Sequence, residues 1–198
     1  MLTKAEKTTQ YILETVAPYF NRHGYTGTSL SDVTKATGLS KGAIYGNFES
    51  KEHLAIEAFN YNIRRAMSIL RDHMDMDAPG LSKLFAVTNF FRNYYYKEKE
   101  YGGCPMINVG VDSMNHNGIL YTRVIEVMNK LVKGICDMID QGKREGKIST
   151  EIDSMLYANK IYAQIQGANF MAQMTQDSAH IQEMMNHVDR MIENEMMN

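Results

Sequence analysis

The sequence predicts an all-α chain in which a small N-terminal three-helix unit is joined to a larger helical domain. Three observations predict it. Apolar residues recur at intervals of three and four along most of the chain. Helix breakers are scarce, with three prolines in 198 residues, while Leu, Ile, Ala, Met, Glu and Lys, which lose little side-chain freedom in a helix, are plentiful. No segment shows the apolar-polar alternation of a half-buried strand.

The first helix is expected from Thr3 to His23, where Ile12, Val16, Tyr19 and Phe20 share a face with Leu13 beside them, and Gly24 stops it. Pro18 offers no backbone donor to the carbonyl of Glu14, which predicts a kink there. After a bridge from Tyr25 to Gly27, Thr28-Ser29 followed by Asp32 reads as the cap and acidic first turn of a second helix ending at Gly38. Ser40 caps a short third helix that runs to about Phe48. Ser50 caps a fourth, carrying Leu54, Ala58, Phe59 and Ile63 to about His73. The segment from Asp75 to Leu81, with Pro79 and Gly80, is a break. Further helices are expected over Ser82 to Lys97, Cys104 to Met114, Gly118 to Glu145, Asp153 to Met174 and Ser178 to Met196. The boundary between domains is placed at Ser50, giving residues 1–50 and 51–198. Residues 1–51 hold six basic against four acidic side chains and residues 52–198 hold fifteen against nineteen, so the N-terminal part is mildly positive on an acidic remainder. That balance is compatible with nucleic-acid binding and does not establish it.

Several functions are excluded or unsupported. There is no basic segment leading into an apolar run and no apolar stretch long enough for a membrane helix, so a cytoplasmic protein without a membrane partner is expected. Cys104 and Cys136 are too few for a disulfide framework and lack the clustered partners of a zinc site, and both thiols are expected to be reduced. The six histidines are scattered; His180 and His187 lie two turns apart, wider than a metal pair. Asp72, His73, Asp75 and Asp77 read as an acidic linker. No catalytic, metal or cofactor site is expected.

The segment from Thr28 to Leu54 carries the functional signal. Two helices of about eight residues joined by a glycine turn present Leu30, Val33, Leu39, Ile44 and Phe48 to one small core and leave a polar face outside, a helix-turn-helix arrangement. The second helix, Lys41 to Asn47, is suited to a major groove, because Gly42, Ala43 and Gly46 permit close approach to base edges. The run Ser40-Lys-Gly-Ala-Ile-Tyr, then Phe48, then Ser50-Lys-Glu and Leu54, resembles the signature of TetR-family transcriptional regulators. The resemblance implies a DNA-binding regulator of double-stranded DNA. Thr28, Tyr45 and Lys51 would contact phosphates, and Ser40, Lys41, Gly42 and Ala43 would face the groove. Asn47 is a further candidate contact. Gly46 and Thr34 depart from the family pattern, where a long or basic side chain and an alanine are common, so operator specificity is not carried over.

A helix-turn-helix reads few base pairs, so a homodimer on a pseudo-palindromic site is expected. Two stripes could form its interface: Ile181, Met184, Met185, Val188, Met191 and Ile192, and Leu156, Ile161, Ile165, Ala168 and Ala172. Alternatively, both stripes close the monomer's own core. The resemblance also implies a C-terminal effector- or ligand-binding domain for a small molecule. Aromatic and methionine side chains are abundant there, among them Phe85, Phe91, Tyr95, Met114 and Phe170, and the pocket is assigned to Phe90, Tyr94, Cys104, Met106, Tyr121 and Tyr162. Gly102-Gly-Cys-Pro-Met-Ile-Asn108 resembles a Gly-Cys-x-x-x-Asn element of some family members, a few of which sense electrophiles or oxidants through a cysteine. Three readings follow: a ligand-responsive dimeric repressor, a thiol-sensing regulator using Cys104, and a helical binding protein or enzyme without operator binding.

Overall fold

The computed structural model describes residues 3–198, with the side chains of 94–100 outside the description. It is all-α among those residues: α1 Lys4–His23, α2 Leu30–Thr37, α3 Lys41–Tyr45, α4 Lys51–Asp72, α5 Gly80–Glu100, α6 Pro105–His116, α7 Gly118–Arg144, α8 Ser154–Thr175 and α9 Ala179–Met191, closed by a π-helical turn Ile192–Met196.

Local chemistry sets these limits. Thr3 and Glu6 form a reciprocal capping box at the start of α1, and Ser29 and Asp32 form another at α2. The Ser29 hydroxyl and backbone bonds hold the Asp32 carboxyl below the usual carboxylate range. Helix α1 runs through Pro18 as one helix to its cap at Gly24. Helix α3 is shorter than expected. It ends at Tyr45, because Gly46 caps it and the amides of Asn47 and Phe48 both turn back to the Ile44 carbonyl at 3.0 Å. The last helix also ends earlier, at Met191, where the chain widens into the π-helical turn and the amide of Met197 reaches back five residues to Ile192. The remaining ends agree with the periodicity to within a few residues.

The chain groups into two compact units. The first comprises the described part of Met1–Ala66 with Lys99–Ile125, and the second Met67–Glu98 with Glu126–Asn198. The expected division after Ser50 is one of function along the chain; compactness instead joins α6 and the start of α7 to the N-terminal helices. In the first unit Ile12, Val16, Ala17, Phe20, Val33, Ile44, Phe48, Leu54 and Phe59 are buried, while Leu30 and Leu39 are half-buried. In the second, Ile139, Ile148, Ile161, Ile165, Ile181, Met185, Val188 and Ile192 form the core with Leu84 and Val87.

That core uses up both stripes proposed for dimerisation. Ile181, Met185, Val188, Met191 and Ile192 of α9, and Ile161, Ile165, Ala168 and Ala172 of α8, pack against their own chain. Burying the Ile, Val and Met side chains among them gains about 1.5–3 kcal/mol each, a gain already made within the monomer. Leu156 is the exception, lying half exposed. Asp189 of α9 pairs with Arg92 of α5 and accepts from the Thr88 hydroxyl at 2.6 Å, joining α5 to α9 beside this core.

Candidate nucleic-acid interface

The turn between α2 and α3 follows directly from the sequence. Gly38 takes a left-handed conformation and its amide closes onto the Thr34 carbonyl; Ser40 then accepts from the Ala43 amide and starts α3. Ile44 is the buried anchor of α3, so the opposite face is left outward. Ser40, Lys41, Gly42 and Tyr45 are exposed, and Ala43 is half-buried. The Lys41 ammonium lies 5.9 Å from the centre of the Tyr45 ring. A hydroxyl, an ammonium and bare glycine backbone at the first turn of a short helix are groups that bind phosphate and admit base edges.

Lys51 opens α4, half-buried, with its ammonium 4.2 Å from the centre of the Tyr25 ring. The ring face orients the cation without neutralising it. Tyr25 was not among the sequence-derived site residues; its role depends on the fold returning Lys51 to it.

Two sequence-predicted residues have different surroundings from those expected. Thr28 is fully buried, and its hydroxyl donates to the Gly24 carbonyl at 2.7 Å. The side-chain phosphate contact assigned to it is therefore corrected: the hydroxyl braces the turn ahead of α2. Asn47 lies beyond α3, donates to the Ala43 carbonyl at 2.8 Å and accepts from the Thr9 hydroxyl at 2.9 Å. Both ends of its amide are already engaged in holding α3 against α1.

Further polar contacts brace this unit from residues distant in sequence. The Tyr11 hydroxyl donates to the Thr37 carbonyl, tying α1 to the end of α2. The buried Asn21 amide donates to the carbonyls of Tyr101 and Gly103, while Asn108 donates to those of Asn21 and Gly102. A Cβ on Gly102 would stand 3.2 Å from the Arg22 backbone, so the glycine at 102 permits a close approach. The Gly-Cys-x-x-x-Asn element is thus a hydrogen-bonded clasp. Its cysteine, Cys104, is 5 % exposed.

The second compact unit holds a cavity of about 260 Å³ lined by Met67, Leu70, Val87, Phe91, Leu131, Gly134, Ile135, Met138, Tyr162 and Ile165, with Lys130 and Gln166 also on its wall. Of the six residues expected to line a pocket, Tyr162 lies on the wall of this cavity. Phe90 is buried edge-on against Phe91, and Cys104, Met106 and Tyr121 belong to the other compact unit. Tyr94 has its side chain outside the described residues. No group of three or more potential metal ligands occurs among the described residues.

A capped helix pair with an outward second helix and a ring-oriented lysine beside it defines a helix-turn-helix DNA-binding protein. Residues 12–58 match the family described as bacterial regulatory proteins, tetR family, and residues 80–188 match the tetracyclin repressor-like C-terminal domain. The HTH-type transcriptional repressor DhaR of Mycobacterium sp. (strain GP1) is 26 % identical over 165 residues, covering 80 % of this chain and 79 % of that protein. The probable acrEF/envCD operon repressor of Escherichia coli (strain K12) is 44 % identical over 54 residues, 26 % of this chain and 24 % of that one. The crystal structure of a TetR transcriptional regulator from Chloroflexus aurantiacus J-10-FL has a TM-score of 0.92 at 30 % identity, covering 99 % of each chain. The chain belongs to the TetR family of bacterial transcriptional regulators. DNA-binding regulation is its activity, and the enzyme alternative is set aside because family members are regulators. No helix among the described residues is long and apolar enough to cross a membrane.

Proposed function

We propose that the protein is a ligand-responsive homodimeric repressor, located in the cytoplasm and acting on a pseudo-palindromic operator. The observation that carries the reading is the outward face of α3, with Ser40, Lys41, Gly42 and Tyr45 exposed and Lys51 oriented by Tyr25. Ser40, Lys41, Gly42 and Ala43 approach the bases, Tyr45 and Lys51 take phosphates, and Asn47 holds the helix rather than the DNA. Two such helices must stand about 34 Å apart, or a multiple of it, to meet successive major grooves. DhaR and the acrEF/envCD regulator are named as repressors, which supports the same sign of control here.

The dimer contact is assigned to the face of α8 that the core leaves uncovered. Leu156, Phe170, Met171 and Met174 are 50, 48, 44 and 68 % exposed, with exposed Ala163 and Gly167 between them. Leu156, Ala163 and Phe170 recur every seven residues, and the small pair admits a second helix at close range. The effector is a small, mostly apolar molecule in the cavity lined by Phe91, Gly134 and Tyr162. A thiol trigger has less support, since Cys104 is buried within a clasp.

Selection of bound sequences from random double-stranded DNA, repeated with candidate apolar effectors, tests the reading. An inverted-repeat consensus whose binding is released by an effector is the expected result. Recovery of no preferred sequence would defeat it.

A further inference from the structure

Helix α6 grips the chain just ahead of α2 through one carboxylate. The Asp112 Oδ2 accepts from the backbone amides of Tyr25 at 2.6 Å and Thr26 at 3.2 Å, and its Oδ1 accepts from the Thr26 hydroxyl at 2.5 Å. Gly24 makes this possible. Its φ of +73° is a left-handed value, and a Cβ there would stand 2.8 Å from both Cγ and Oδ2 of Asp112. Asn108, one turn earlier on the same face of α6, holds Gly102 and Asn21. The held turn leads both ways into the DNA-binding surface: Tyr25 carries the Lys51 ammonium on its ring, and Thr28, bonded to the Gly24 carbonyl, precedes the α2 cap Ser29.

We propose that Asp112 is a positioning residue for operator binding, fixing the Gly24–Thr26 turn so that α2 and the Tyr25-oriented Lys51 stand in the geometry that DNA requires. Asp112 itself makes no DNA contact. A carboxylate in the DNA-binding unit repels the phosphate backbone, so removing its charge would by electrostatics alone tighten binding. The positioning role demands the opposite sign. Three hydrogen bonds to one ionised acceptor exceed what a neutral side chain replaces, because charge-assisted bonds are about twice as strong as neutral ones.

The inference rests on Lys51 acting as a phosphate ligand, and the test separates the two ideas. Binding of the full-length protein to its selected operator is measured across a salt series for the native protein and for Asp112→Ala, Asp112→Asn, Lys51→Ala and the double variant Asp112→Ala/Lys51→Ala, with helicity checked by circular dichroism. Expected are a loss of about tenfold for Asp112→Ala, a smaller loss for Asp112→Asn, which keeps one acceptor oxygen, and a salt slope lower by about one in Asp112→Ala. Lys51→Ala lowers the slope equally, and the double variant loses less than the combined single effects. Unchanged or tighter binding by a folded Asp112→Ala, with the native slope, overturns the proposal. If Asp112→Ala does not fold, Asp112→Asn and Thr26→Val carry the same comparison. A native protein without operator binding, or Lys51→Ala with the native slope, would instead count against the DNA-contact reading.

Discussion

The hydroxyl of Thr9 on α1 donates to Oδ1 of Asn47 at 2.9 Å, and the Asn47 amide donates to the Ala43 carbonyl in α3. With both polar ends bonded inside the protein, Asn47 braces the helix-turn-helix, and we propose that it acts there by holding α3 rather than by reading DNA. Asn47→Ala should lower thermal stability by about 1–2 kcal/mol, since it leaves the half-buried Thr9 hydroxyl without its acceptor. Operator affinity should fall by a similar factor at every base position. Thr9→Val should reproduce much of the loss, and a change of base preference confined to Asn47→Ala would restore it as a reading residue.

The Ser29–Asp32 capping box carries a pH dependence of known sign. Because the folded state holds the Asp32 carboxyl below its ordinary value of about 3.9, the box stabilises fully above that value and loses its contribution as pH falls through the lower, folded one. Melting temperatures of the native protein and Asp32→Ala should therefore differ near neutrality and converge in strong acid. A gap that stays constant down to about pH 2 would assign the stabilisation to something other than the carboxylate.

How much of this was legible in the sequence follows from how local each signal is. The α2 cap, the Gly38 turn and the Ser40 cap are written within a few residues of where they act, so the helix-turn-helix could be drawn from residues 28–54 alone. The end of α3 was misjudged because Gly46, read as slimness for DNA, also stops the helix, and because Asn47 bonds to Thr9, 38 residues away. Asp112 lies 86 or more residues from the turn it holds, and no local pattern announces it. Apolar periodicity identified the inward faces of α8 and α9 except at Leu156, which lies outward, and left open what covers them. Aromatic density likewise marks burial rather than concavity, which is why Phe90 was chosen and its neighbour Phe91 lines the cavity.

Cavity filling distinguishes ligand response from DNA binding. Gly134 lines the cavity, and a Cβ built there meets nothing within 4 Å. Gly134→Leu adds a branched side chain at the cavity wall, and replacing glycine inside α7 also raises helix propensity by up to about 1 kcal/mol. The expected variant is folded, binds the operator as the native protein does, and is no longer released by the effector. Retained release would move the effector site elsewhere.

The thiols should be slow. Burial, with Asp140 adding to it, pushes the Cys136 thiol up from its ordinary value, so the reactive thiolate is scarce at neutral pH. Cys104 is kept from reagents by burial, at 5 % exposure. A disulfide-exchange reagent should therefore react with neither thiol rapidly in the native protein and with both once denaturant is added. Rapid labelling of Cys104 in the folded protein, together with loss of operator binding, would revive the oxidant- or electrophile-sensing alternative.

The outward face of α8 gives the sharpest test of assembly. Gly167 and Ala163 occupy the middle of an exposed stripe whose ends are Leu156 and Phe170 to Met174, so a long charged side chain at 167 would hold a second helix away. The α8 residues facing the monomer core, Ile161, Ile165 and Ala168, lie on the other side and should be undisturbed. Gly167→Glu is therefore expected to keep native helicity and melting behaviour at low concentration while sedimenting as a monomer. Operator affinity should fall by at least about a hundredfold, because one helix-turn-helix must then bind without the effective concentration its tethered twin supplies. Phe170→Ala should weaken the dimer by about 2 kcal/mol or more if that ring is an interface anchor. A Gly167→Glu protein that remains dimeric by sedimentation would exclude this face as the contact, whatever its effect on DNA.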